Sequence, residues 1–169
     1  MNKQWPYFVL VFLLPMLVVF WWWGVFSSPG VEILQRNPVR YAYLVSEGDY
    51  SKVEEHQREV RDLLKQQRIV AGQSVTLIEN DPRITPATQR RARAGVIVDD
   101  GAHVSAPLLE GSLPKRRALV VSARAHPFFA YGKAYGALLD YLEKHGMALS
   151  LPVAETTRDN TLTIEMALQ

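Results

Sequence analysis

The sequence contains no cysteine. That absence removes disulfide staples and a thiol nucleophile, and it fits an exported domain and a cytosolic one equally. Also missing are a G-x-S-x-G elbow, a P-loop and a G-x-G-x-x-G turn, the usual frameworks for acyl transfer, nucleotide hydrolysis and dinucleotide binding. The four histidines, His56, His103, His126 and His145, are dispersed without the spacing of metal ligands, so neither a metal site nor a cofactor is expected. The formal net charge is only +2. Two local basic clusters, Arg90, Arg91, Arg93 and Lys115, Arg116, Arg117, come without a helix-turn-helix, zinc finger or aromatic RNA-binding motif, so nucleic acid is not an expected partner. Such clusters usually lie on solvated faces, and they reach anionic lipid if they face a membrane.

Charge itself is missing from one long stretch. From Trp5 to Phe26, WPYFVLVFLLPMLVVFWWWGVF, no side chain is charged. At about 1.5 Å rise per residue this run covers the roughly 30 Å hydrocarbon thickness of a bilayer, and Pro15 is tolerated inside a membrane helix. Trp21, Trp22 and Trp23 carry apolar rings with one polar N–H each, which suits the headgroup interface. The expectation is a single transmembrane anchor over residues 5–26. A cleaved signal peptide has a core of only about 7 to 15 apolar residues and small residues at the cut, which Val25, Phe26, Ser27 do not supply. Lys3 before the run, against Glu32, Arg36 and Arg40 after it, tilts the positive-inside bias slightly toward a cytoplasmic amino terminus. That places the carboxyl-terminal domain outside the cytoplasm, on the periplasmic side in a bacterium.

Ser27, Ser28, Pro29 and Gly30 read as breakers, giving a linker over 27–37 and one domain over 38–169. Within it the same order of elements occurs twice. VRYAYLV at 39–45 has the β-branched and aromatic content of a strand. Ser51 with Glu54 forms a capping-box pattern ahead of Val53, Val60, Leu63 and Leu64 at helical spacing, and that helix should end before Gly72. SVTLIE at 74–79 and Ala94–Val98 follow as strands. The series restarts with ALVVSA after Arg117, a helix over Tyr131–His145, and strands over 151–156 and 161–166. Val45 and Val121, Ser46 and Ser122, Ser74 and Ser150, and Glu79 and Glu155 are all 76 residues apart. Two strand-helix-strand-strand units imply a pseudo-twofold α+β domain with a largely antiparallel sheet, two helices and a cleft between the halves.

The order of elements, with EGDY at 47–50, NDPRITP at 80–86, Arg91 four residues before Gly95 and PVAE at 152–155, resembles the GyrI-like small-molecule-binding family, the effector-binding domain of AraC-type and multidrug-responsive regulators. The second half, with His126, Pro127, Phe128, Phe129, then Lys133, Ala134, Tyr135 and ALLDYL, is most similar to a membrane-anchored branch that includes the animal reticulophagy receptor, a testis-expressed protein. The resemblance implies that Glu155 faces the cleft and meets cationic aromatic ligands. A carboxylate on an apolar strand lacks water, so a cation relieves its desolvation, and aromatic rings add stacking and cation–π attraction. Tyr43, Tyr50, Phe128, Phe129, Tyr131 and Tyr135 are the aromatic candidates. Four of them, Tyr43, Tyr50, Phe128 and Tyr131, join Glu155 and His126 as the expected ligand-binding set. The competing reading makes Glu155 a solvated strand-end residue and the aromatics core filling.

Two departures from the family pattern stand out. Thr157 occupies the place of a tyrosine, and Glu79 with Asn80 replaces an aromatic pair. Glu79 opposite Glu155 would make a more acidic pocket if both point inward. Gly132 and Gly136 form a G-x-x-x-G whose use in a soluble helix would be close packing. The functional expectation is a membrane-anchored protein that binds or senses a small lipophilic or cationic molecule. A membrane-tethered adaptor that binds a protein partner is the alternative, and a hydrolase of reactive small molecules using Glu155 is the second.

Overall fold

Pro38 and Pro114 stand 76 residues apart, and each interrupts a long extended stretch. Proline has no N–H to give to a ladder, so each stretch becomes two strands. The first pair is β1 (Gly30–Arg36) and β2 (Val39–Glu47), and the second is β5 (Leu109–Leu113) and β6 (Arg116–Arg124). The computed structural model describes residues 5–168. Its remaining regular elements are α1 (Trp5–Trp22), α2 (Val53–Gln66), β3 (Ser74–Ile78), β4 (Arg91–Val98), α3 (Pro127–Lys144), β7 (Val153–Arg158) and β8 (Thr161–Ala167). The fold is α+β, with three helices and one eight-stranded sheet in the order β1-β6-β8-β7-β3-β4-β2-β5. Every neighbouring pair is antiparallel.

The duplication is visible in this order. The unit β2-α2-β3-β4 and the unit β6-α3-β7-β8 meet at a seam where β3 pairs with β7, with Thr76 opposite Glu155. The strands ahead of each unit cross over: β1 pairs with β6 of the second unit, and β5 with β2 of the first. The registers agree with the repeat, since Ile33 faces Leu119 and Leu109 faces Tyr43. Only Asn37 and Pro38 join β1 to β2, a reach of about 10 Å, so the sheet curls until its two ends approach each other.

Both helices of the repeat lie on one face. α2 lays Val60 and Leu64 on Ala42, Val96 and Val98, and α3 lays Ala130, Ala134, Leu138 and Leu142 on Leu119, Val121, Ile164 and Met166. The opposite face has its own packing of Tyr41, Val75, Leu77 and Ala154. There Gly111 is needed, because a Cβ at that position would stand 2.3 Å from the Tyr41 ring. Glu165, also buried, accepts from Arg116 at 2.5 Å and pairs with Arg36, which ties β1, β6 and β8 together.

Several expectations are corrected. The helix expected as a transmembrane span over 5–26 ends at Trp22, and among the described residues no helix is long and apolar enough to cross a membrane. Its eighteen residues measure about 27 Å, short of the roughly 30 Å of a bilayer core. Trp23, Gly24 and Ser27 instead join the domain. Lys133 Nζ donates to the carbonyls of Gly24 and Ser27 at 2.7 and 2.5 Å, Ser27 Oγ donates to Arg124 O, and the Trp23 ring stacks on His126 at 4.9 Å. Gly24 takes φ +70° in this joint, where only glycine is at ease. Residues 30–36 are a strand rather than linker, because β6 offers them an open edge. α2 starts at Val53 with no Ser51 cap; Asp49 accepts from the Ser51 N–H at 2.7 Å and caps a 3-10 turn ahead of it. α3 starts at Pro127, four residues early, since proline suits the first helical position. Gly132 and Gly136 face open space, so their spacing serves no close packing. Lys3, whose charge entered the orientation argument, lies outside the described residues.

Candidate functional site

The seam between β3 and β7 is uncovered where α2 and α3 part, and a cleft of about 730 Å³ opens there. Its floor is Ser74, Thr76 and Ile78 of β3 with Glu155 and Thr157 of β7. One wall is Tyr50 with Glu54, Gln57, Arg58 and Arg61 of α2; the other is Pro127, Tyr131 and Tyr135 of α3. Strand alternation sets the floor. Val153, Glu155 and Thr157 point to the helices while Ala154 points away, so Glu155 occupies a position that an apolar residue would ordinarily fill.

Glu155 is 8% exposed. Its Oε1 accepts a short hydrogen bond from the Tyr135 hydroxyl. Burial pushes its carboxyl up to about 7, against the smaller opposing pull of that hydrogen bond. Burial first, and then the Glu155 charge, raise the Tyr135 hydroxyl far above its ordinary range, so it stays a donor. Burial and Glu155 also raise Tyr131, and burial raises Tyr50 against the pull of Arg90, whose guanidinium lies 5.8 Å from the Tyr50 ring centre. Tyr50 is fixed by donating to Asn80 O at 3.0 Å. At neutral pH Glu155 is therefore divided between acid and carboxylate. As a carboxylate it attracts a cation; as an acid it donates a hydrogen bond or a proton.

Of the six residues expected to bind ligand, Glu155, Tyr50 and Tyr131 lie together in this cleft. Tyr43 does not. It sits on the opposite face of the sheet beside Tyr41, with the Arg93 guanidinium 5.4 Å from its ring centre. His126 caps α3, its Nδ1 accepting from the Phe128 N–H, and its ring stacks on Trp23. Phe128 is 81% exposed and outside the cleft. Glu79 pairs with Arg93 at 2.6 Å and Arg91 at 3.4 Å, so the idea of a second acid facing Glu155 is corrected. Of the basic clusters, Arg90, Arg91, Arg93 and Arg116 are engaged internally. Arg90 donates to Thr85 O and Pro82 O, Arg93 to Glu79 and Arg116 to Glu165. The polar wall of α2 was missed because its residues read as the solvated face of an amphipathic helix.

A family profile described as the GyrI-like small molecule binding domain matches residues 30–166. The chain belongs to the GyrI-like small-molecule-binding family. A comparison with curated proteins finds no match. Among solved structures, this GyrI-like chain is similar to the EcmrR C-terminal domain, with TM-score 0.66 and 13% identity over 83% of this chain and 98% of that one. SAV2435 bound to tetraphenylphosphonium is similar at TM-score 0.56, with 12% identity over 83% of this chain and 94% of that one. A hydrolase from Listeria innocua is similar at TM-score 0.54, with 7% identity over 84% and 92%. At these identities the structures speak for the fold alone. They bear on the GyrI-like domain as a whole and not on its membrane-anchored branch.

Proposed function

We propose that this GyrI-like domain binds a small lipophilic organic cation in the cleft between α2 and α3, with Glu155 as counter-charge and Tyr50, Tyr131 and Tyr135 as π-bearing walls. The observation that carries the reading is a carboxyl group held out of water at the floor of an open cleft of about 730 Å³, a volume suited to a drug-sized molecule. A cation entering there restores the electrostatic partner that burial took away, and the rings add attraction to its face. SAV2435, which shares the fold, is bound to tetraphenylphosphonium. The test is calorimetric titration of the whole chain with tetraphenylphosphonium and related cations. Glu155→Gln is expected to weaken binding about tenfold or more. Absence of binding across a broad cation panel overturns the proposal.

The proposal extends to where the domain works. α1 has no charge, and Leu10, Val11, Phe12, Leu14 and Leu17 are all more than half exposed. A helix apolar on every side finds its stable setting against lipid, and local thinning of the bilayer is what accommodates a short one. We place the domain at a membrane surface, outside the cytoplasm. A reporter fused at the carboxyl terminus tests the side, and release of the chain by alkaline carbonate overturns the anchoring.

Hydrolysis is a second reading, favoured by the buried Glu155 carboxyl that takes a hydrogen bond from Tyr135 at the floor of an open cleft, where burial lifts it to about 7, a value that suits a general acid or base at neutral pH. Turnover of an electrophilic substrate that is abolished by Glu155→Gln in a folded protein would put it first.

A further inference from the structure

The α2 wall of the cleft carries charge of the opposite sign to its floor. Glu54, Gln57, Arg58 and Arg61 recur at spacings of three and four residues, which puts them on one face of the helix, and all four line the cleft. Gln57 is committed, since its amide donates to Thr76 Oγ1 at 2.9 Å. Arg61 is held in place by donating to Gly72 O at 3.1 Å and Ser74 Oγ at 2.8 Å. Those two bonds fix the guanidinium and leave its remaining N–H donors unused. Arg58 makes one long contact, from Nε to the Glu54 carbonyl at 3.5 Å.

Seven arginines have a carboxylate within 4.0 Å; among the described residues Arg58, Arg61, Arg68, Arg90, Arg117 and Arg124 have none, and of these six Arg58 and Arg61 line the cleft. Of the α2 residues that line the cleft, Glu54, exposed one turn before Arg58, offsets one of the two positive charges and leaves the other, while Glu55, Glu59 and Asp62 lie outside the lining. The distance between the two loci follows from the sheet. Ser74, which holds Arg61, is two residues along β3 from Thr76, and Thr76 is the register partner of Glu155. Two strand steps and one strand spacing separate the charges by roughly 7 to 10 Å.

We infer that the ligand of this cleft is amphoteric: a flat body whose cationic end sits on Glu155 and whose other end carries a carboxylate or sulfonate against Arg58 and Arg61. A purely cationic ligand satisfies the floor and meets repulsion from the wall; an anionic substituent at the right distance satisfies both. The inference rests on the reading of the cleft as a site for a cationic small molecule, and it narrows that class to molecules with both charges.

Rhodamine B and its ethyl ester test it, because they share one cationic aromatic body and differ in a free carboxylate. Fluorescence anisotropy with the full chain in lipid nanodiscs, blanked on protein-free discs, reads both affinities. The free acid is expected to bind about tenfold more tightly than the ester, the gain of one partly desolvated ion pair. Arg58→Gln with Arg61→Gln is expected to bring the acid down to the level of the ester in the same variant and to tighten the ester by removing the repulsion of the wall, while Glu155→Gln weakens both. Arg58→Gln alone, which removes a side chain with a single backbone contact, guards against misfolding of the double variant and is expected to cost the acid about threefold. If the ester binds as tightly as the acid, or if the arginine variants weaken both dyes alike, the amphoteric inference is overturned and the cation reading stands. If neither dye binds, the cation reading falls and this inference with it.

Discussion

Replacing Glu155 with glutamine should change how the protein's stability depends on pH, and the size of the change follows from the burial of this one carboxyl. It titrates at about 7 in the folded chain, against an ordinary value of 4.5. Between those values the native state holds a proton that the unfolded state has released, so unfolding becomes easier as pH rises. The contribution is fully present below 4.5 and gone above 7. At about 1.4 kcal/mol per pH unit, the gap corresponds to about 3 kcal/mol. For a chain of this length that is a change in melting temperature of roughly 6 to 12 °C. Glutamine keeps the shape, accepts from Tyr135 and cannot ionise. The variant should match the wild type near pH 4.5 and exceed it by about 3 kcal/mol at pH 8, less whatever the amide loses against Tyr135. Urea denaturation of both proteins at half-unit pH steps measures the difference. Asp49, Asp81 and Glu110, whose carboxyls are held low by hydrogen bonds and nearby arginines, titrate alike in both and cancel. A difference that stays flat from pH 4.5 to 8 refutes the reasoning, because the carboxyl would then be solvated in the native state.

Lys133→Met removes the ammonium that holds the Gly24 and Ser27 carbonyls, so amide hydrogen exchange across residues 23–29 should accelerate by about ten- to a hundredfold; unchanged exchange would show that Trp23 on His126 suffices. Glu165→Leu leaves Arg36 and Arg116 facing an apolar side chain and should cost about 3–5 kcal/mol in urea denaturation. A loss below about 1 kcal/mol would mean that both guanidinium groups escape to water.

The repeated units were legible because each strand is bounded by turn residues and each helix keeps its apolar period. β1 and β5 were not. GVEILQR is exposed along most of its length, and its partner β6 belongs to the far half of the chain, so nothing local marks it as a strand. Glu155 was readable from its place on β7, and Tyr50 and Tyr131 from their places beside helix starts. Tyr43 misled because the sheet is covered on both faces. VRYAYLV then lacks the alternation that would separate Tyr41 and Tyr43 on one side from Ala42 and Leu44 on the other. His126 misled because the helix begins at Pro127, which turns an expected ligand residue into a cap.

The exchange of strands between the halves bears on how the cleft can respond to an occupant. The seam beneath the cleft is only four residue pairs long, while the exchanged strands bind the halves through seven pairs at β1–β6 and five at β2–β5. A hinge along the seam would have to tear those outer pairings. The two halves therefore fold and melt as one cooperative body, and the sheet is a fixed base. Motion is left to α2 and α3, which rest on it through side chains alone. Since α3 also holds the end of α1 through Lys133 and His126, a shift of α3 on ligand binding pulls directly on the apolar helix.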